Sequence, residues 1–99
     1  MRTVFSSVFE TDFAEIIAYF AGDVSPALSL RFEDSVVETY EQIATHPKIG
    51  RRRTDLAHPE IRSLVVTGFE NYIVFYQIRE ADVFFIRLLH GARDLPGLL

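Results

Sequence analysis

The chain has 99 residues, 48% hydrophobic and 13% aromatic, with no cysteine and a formal net charge of −4. That length suits one domain with a single core. The missing cysteine excludes disulfides and thiolate metal sites, and the acidic balance argues against a general nucleic-acid binder held by phosphate attraction.

The average hides an asymmetry. Residues 1–47 carry a balance of −6 and residues 48–99 one of +2, with five of the later eight cations between Lys48 and Arg62. An acidic front followed by a basic segment can steer an acidic partner to one side; an ordinary solvated loop would read the same way. Charges break every apolar stretch short of the ~20 residues a membrane span needs. Met1-Arg2-Thr3 leads straight into a strand-like segment without a signal-peptide pattern, so a cytoplasmic protein is expected.

In chain order, Thr3-Val4-Phe5 is β-prone and stops at Ser6-Ser7. Ser7-x-x-Glu10 fits a capping box, with Ser6 an equal candidate for the cap. Phe9, Phe13, Ile16, Ile17 and Phe20 form one helical stripe, with Glu10, Asp12 and Glu15 placed on other faces. The spacing predicts a helix over Ser7–Ala21, ended by Gly22. Ser25 as cap and Pro26 in the first turn start a second helix that runs to about Thr45, where His46-Pro47 closes it. Its expected inner face is Ala27, Phe32, Val36, Tyr40 and Ile43. A connection of about four residues makes the two helices an antiparallel hairpin.

Residues 48–60 show no sustained periodicity and read as an irregular connection, with a possible helical turn at Asp55–Ala57. Ile61–Thr67 alternates as a strand, and Gly68–Asn71 turns it. Tyr72, Val74, Tyr76 and Ile78 then share one face of a strand, and Ile73, Phe75 and Gln77 the other. Arg79-Glu80-Ala81-Asp82 supplies a turn, and Val83–Leu89 returns as a strand apolar on both faces. The expected fold is therefore α+β, in the order β-α-α-β-β-β. A single domain over residues 1–99 packs an antiparallel sheet against an N-terminal helical hairpin.

His90-Gly91-Ala92-Arg93-Asp94 closes the last strand, and a strand end carrying His, Arg and Asp is the best place to look for function. His46, His58 and His90 lack metal-ligand spacing, so no metal site is expected; no phosphate loop or nucleophile motif suggests a cofactor. His90 suits acid–base work near neutral pH, or it braces the strand end. Arg51, Arg52 and Arg53 form a basic loop able to fork onto phosphates or carboxylates. Arg62 and Arg87 sit within strands, where a buried charge needs a partner. They emerge to solvent or pair with acids such as Asp94.

Taken together these residues resemble the ParE/RelE superfamily of toxins from type II toxin–antitoxin systems, closest to ParE. The resemblance rests on Asp12-Phe13-x-x-Ile16-x-x-Tyr19, His46-Pro47-x-x-Gly50-x-x-Arg53, Arg62 opening a strand, Tyr72-Ile73-Val74-Phe75-Tyr76 and Ile86–Asp94. It implies a bacterial growth-inhibiting toxin of the plasmid-stabilisation type, neutralised by a cognate antitoxin in a hetero-oligomer. Its target would be DNA gyrase, without chemistry of its own. The expected target contacts are Arg93, Asp94, Leu95, Leu98 and Leu99, and any DNA binding would belong to the antitoxin. Two alternatives stand beside it. One is a RelE-type ribosome-dependent endoribonuclease, with Arg51, Arg53, Arg62 and Arg87 on phosphate and His90 as acid or base. The other is an inactive member that only binds the antitoxin. No Tyr follows the last strand and Lys48 is the only lysine, both departures from the RelE pattern.

Overall fold

Ser6, one residue ahead of the predicted capping box, starts the first helix in the computed structural model, which describes residues 1–91 and 95–99. Its hydroxyl accepts the Phe9 N–H at 2.9 Å and donates to the Ile86 carbonyl at 2.7 Å, so one side chain both caps the helix and ties it to the sheet. Strand β1 (Arg2–Phe5) precedes helix α1 (Ser7–Tyr19). The helix does not stop at Gly22 as expected. It widens into a π-helical turn, Phe20–Val24, closed by the Ser25 N–H on the Phe20 carbonyl at 2.8 Å. The extra residue of that turn keeps the Phe20 ring against Phe32 and Tyr72 while the chain reverses.

Helix α2 (Pro26–Thr45) begins and ends where predicted, with the Ser25 hydroxyl accepting the Leu28 N–H at 3.0 Å. Phe32, Val36 and Ile43 are fully buried, as expected, and Tyr40 partly so; Ala27, placed on the inner face by its spacing, is exposed. Ser29 and Thr39 are buried instead, each with a partner. Ser29 donates to the Ile17 carbonyl of α1 at 3.2 Å, and Thr39 accepts the Thr67 N–H at 3.3 Å. A hydroxyl that reaches another element can sit in a core that an unpaired polar group could not enter.

The connection after α2 is more ordered than its sequence suggests. A 3₁₀ turn, Pro47–Ile49, leads into a two-residue strand β2 (Arg51–Arg52), antiparallel to β3 (Arg62–Val66). Strands β4 (Phe69–Ile78) and β5 (Asp82–His90) complete the sheet, and a single helical turn α3 (Leu95–Leu98) follows. The strand order is β1-β5-β4-β3-β2. The meander β3–β4–β5 is antiparallel as predicted, and β1 joins it in parallel beside β5, so the sheet is mixed.

Both faces of the sheet are covered, which is why β5 carries apolar residues on both of its faces. The register pairs Tyr76 with Phe85 and Phe75 with Arg87, leaving Ile86 as a bulge residue with no opposite number. Val83, Phe85 and Leu88 join Val74, Tyr76 and the helical hairpin in the main core. On the other face Phe75 and Leu89 pack with Leu56 and Ile61 of the connection and with Leu98 and Leu99 of the tail.

One glycine is dictated by close approach. A Cβ on Gly50 would lie 2.6 Å from the Tyr76 hydroxyl and 2.7 Å from the Ser63 carbonyl oxygen. The Tyr76 hydroxyl accepts the Gly50 N–H at 2.9 Å and donates to the Pro47 carbonyl at 2.6 Å, fastening the connection to the sheet.

Candidate functional site

The ladder between β1 and β5 ends at Phe5 and Phe85, so the upper half of β5 would expose unpaired backbone groups. Helix α1 takes over that edge with its side chains. The Ser6 N–H donates to the Phe85 carbonyl at 2.9 Å and the Ser6 hydroxyl to that of Ile86. Further along α1, Asp12 accepts the Leu88 N–H at 3.1 Å. The same carboxylate receives the Arg87 guanidinium as a fork, Nε at 2.8 Å and Nη2 at 2.9 Å, while Arg87 Nη1 donates to the Leu98 carbonyl at 3.3 Å. Arg87 therefore clasps α1, β5 and the tail together, and Asp12 holds its guanidinium firmly protonated.

Asp12 is only 8% exposed. Sequence reasoning placed it on an outer helix face, although it lies three residues after Phe9 and four before Ile16, within the apolar stripe. A carboxylate at that spacing signals a buried partner.

The arginine run splits by role. Arg51 and Arg52 lie exposed on β2, whereas Arg53 is 7% exposed. Arg53 forks onto Asp55 through Nε at 2.9 Å and Nη2 at 2.8 Å, donates to the Ser63 hydroxyl at 3.3 Å and stacks over Phe75. That bond drives the Asp55 carboxyl down to about 2. Arg62 donates to the carbonyls of Gly50 at 2.8 Å and Lys48 at 3.4 Å. Of the cations considered for phosphate, Arg87, Arg53 and Arg62 thus hold the fold together.

His90 stands opposite Tyr72 in the β4–β5 register, on the side facing the hairpin, and their rings meet edge-to-face at 5.1 Å. Burial raises the Tyr72 phenol above its ordinary range, with Tyr19 adding to the shift. His90 and Tyr72 line a cleft of about 190 Å³ with Asp12, Glu15 and Tyr19. Among the expected target contacts, Leu98 and Leu99 lie against the outer face of the sheet. Arg93, Asp94 and the Leu95 side chain lie outside the described residues. No three His, Asp or Glu side chains among the described residues could together hold a metal ion, and none of the described helices is long and apolar enough to cross a membrane.

These features define a small α+β domain whose helical hairpin is tied to a five-stranded sheet by the Arg87 fork on Asp12, and whose connection is fastened by Arg53 and Arg62. The model of the ParE toxin of type II toxin–antitoxin systems, parDE, matches residues 4–95, and the chain belongs to that family. Among solved structures it is similar to a chain of the chromosomal ParDE TA system from P. aeruginosa. That likeness has a TM-score of 0.76 at 14% identity, over 91% of this chain and 95% of that one, and it concerns the fold. No curated protein matches this sequence.

Proposed function

We propose that this chain arrests bacterial growth by binding DNA gyrase and blocking replication, and that a cognate antitoxin neutralises it in a cytoplasmic hetero-oligomer. On this reading the toxin serves to stabilise a plasmid or similar element. Family membership supports the toxin role. The observation that favours a binding toxin over a nuclease is the fate of its arginines. A phosphate-cleaving centre needs free cations aimed at the charge that develops, beside an acid–base group. Here Arg87 and Arg53 are forked onto carboxylates, and Arg62 onto backbone carbonyls. That leaves the RelE-type endoribonuclease reading with Arg51 and Arg52 on the far edge strand from β5, and with His90.

Apolar surface for an antitoxin segment is also present. A groove of about 900 Å³ is lined by Met1, His46, Pro47, Ile49 and Ile78, and Val8, Val24 and Leu30 are exposed along the hairpin. A disordered segment that folds as it binds suits such a surface.

The test is induction of this chain alone in a bacterial host, with pulse labelling of DNA and protein synthesis, alongside supercoiling by purified gyrase. DNA synthesis should fall first and supercoiling should be inhibited. The paired change Arg93→Ala and Asp94→Ala in the full-length chain should remove both effects. Protein synthesis falling first would overturn the gyrase reading; no effect on either would fit the inactive member. Deletion of residues 95–99 is the poorer variant, because Leu98 and Leu99 also pack on the sheet.

A further inference from the structure

Two adjoining clefts open at the π-turn end of the hairpin, one of about 190 Å³ and one of about 440 Å³. They share a wall of three rings, Tyr19, Tyr72 and His90. The wall depends on the π-helical turn. Phe20 is held inward at 7% exposure, packed on Tyr72 at 5.8 Å, while its neighbour Tyr19 is left 49% exposed. Such turns within helices recur at functional sites.

Among the described residues, the carboxylates are the only charged groups lining these clefts. Glu15 lines the first cleft and Glu70 the second, and among the described residues no lysine or arginine lines either. Neither glutamate takes part in an ion pair among the described residues. Asp12 is also present, but its oxygens already serve Arg87 and the Leu88 N–H. The surrounding field is acidic as well, since residues 1–47 carry a balance of −6. Aromatic faces beside carboxylates attract a cation, and a planar guanidinium stacks on rings where an ammonium cannot. The first cleft is smaller than the ~300–1,000 Å³ of a small-molecule site and the second lies near the low end of that range, a size that suits a single side chain.

We propose that these paired clefts are the docking site for an arginine side chain of a protein partner, its guanidinium laid against Tyr19 and Tyr72 and its charge met by Glu15 and Glu70. Glu15 already adds its attraction to one guanidinium nearby, that of Arg87 forked on Asp12.

The probe is acetyl-arginine-amide, titrated into the intact chain and followed by NMR. Its neutral isostere acetyl-citrulline-amide and acetyl-lysine-amide serve as comparisons. Shifts should centre on Tyr19, Tyr72 and Glu70, with arginine bound roughly 10-fold more tightly than citrulline and more tightly than lysine. Glu15→Gln combined with Glu70→Gln should weaken arginine binding about 3- to 10-fold, and Tyr19→Ala about 2- to 5-fold. All three positions are exposed, so these variants should fold as the parent does. Equal binding of citrulline, equal binding of lysine, shifts centred on β2, or indifference to the double glutamine change would each overturn the proposal.

Discussion

Replacing Asp12 with alanine should be among the most damaging single changes in this protein. The carboxylate accepts three hydrogen bonds, two from Arg87 and one from the Leu88 N–H, and is 8% exposed. Breaking a buried ion pair by removing one partner costs about 3–5 kcal/mol. That figure is reduced here, because the Arg87 side chain keeps 18% exposure and a bond to the Leu98 carbonyl. The orphaned Leu88 N–H adds about 1–3 kcal/mol. A net loss of about 3 kcal/mol is expected, a large share of the ~5–15 kcal/mol of a typical domain, or about 12–24 °C in Tm. Urea unfolding followed by far-UV circular dichroism measures it, as the chain has no tryptophan. Adding Arg87→Met to Asp12→Ala removes the stranded charge and should restore about 1–2 kcal/mol. If Asp12→Ala costs under about 1 kcal/mol, or if Arg87→Met makes it worse, the clasp is not what secures α1 to β5.

Other expectations concern the connection and the titratable groups. Gly50→Ala should cost about 2–3 kcal/mol from overpacking against Tyr76 and the Ser63 carbonyl. Gly22→Ala, with nothing within 4 Å of its Cβ, should be neutral or mildly stabilising; matched urea midpoints of the two variants would refute the close-approach argument. Asp55, held at about 2 in the folded chain against an ordinary 3.8, contributes stability that is present above pH 4 and lost as pH falls through 2. Asp55→Asn should flatten the stability–pH curve in that window, and an unchanged slope would show that the Arg53 fork does not hold the carboxyl down. Burial raises the Tyr76 phenol above its ordinary 10.0, so stability is full below pH 10 and declines as pH rises further. Tyr76→Phe should unfold less steeply in alkali, at a cost near neutrality of about 1–3 kcal/mol for the orphaned Gly50 N–H and Pro47 carbonyl.

The helical hairpin and the β3–β4–β5 meander were legible in the sequence because their signals are local. Ser25-Pro26 starts α2 through its own hydroxyl and ring, His46-Pro47 ends it sterically, and the period-two run Tyr72–Ile78 assigns each side chain a face. Those preferences act within a turn or a strand, so the residues carry them wherever the chain goes. The parts settled by tertiary structure depend on groups far apart in the chain. Asp12 meets Arg87 across 75 positions, and Tyr76 grips Gly50 and Pro47 across 26 and 29. The bulge at Ile86 shifts the alternation of β5, so that Phe85 and Leu88 both face the hairpin and Leu89 the connection and tail, a choice invisible in a run apolar on both. The π turn holds Phe20 against Phe32 and Tyr72, and strand β2 pairs with β3, so both rest on partners outside their own segments. The basic run shows the difference most plainly. Sequence made Arg51, Arg52 and Arg53 alike, and only the packing of residues 53–63 against Phe75 took Arg53 out of solvent and gave it to Asp55 and Ser63, since a buried guanidinium is tolerated only where its donors are met.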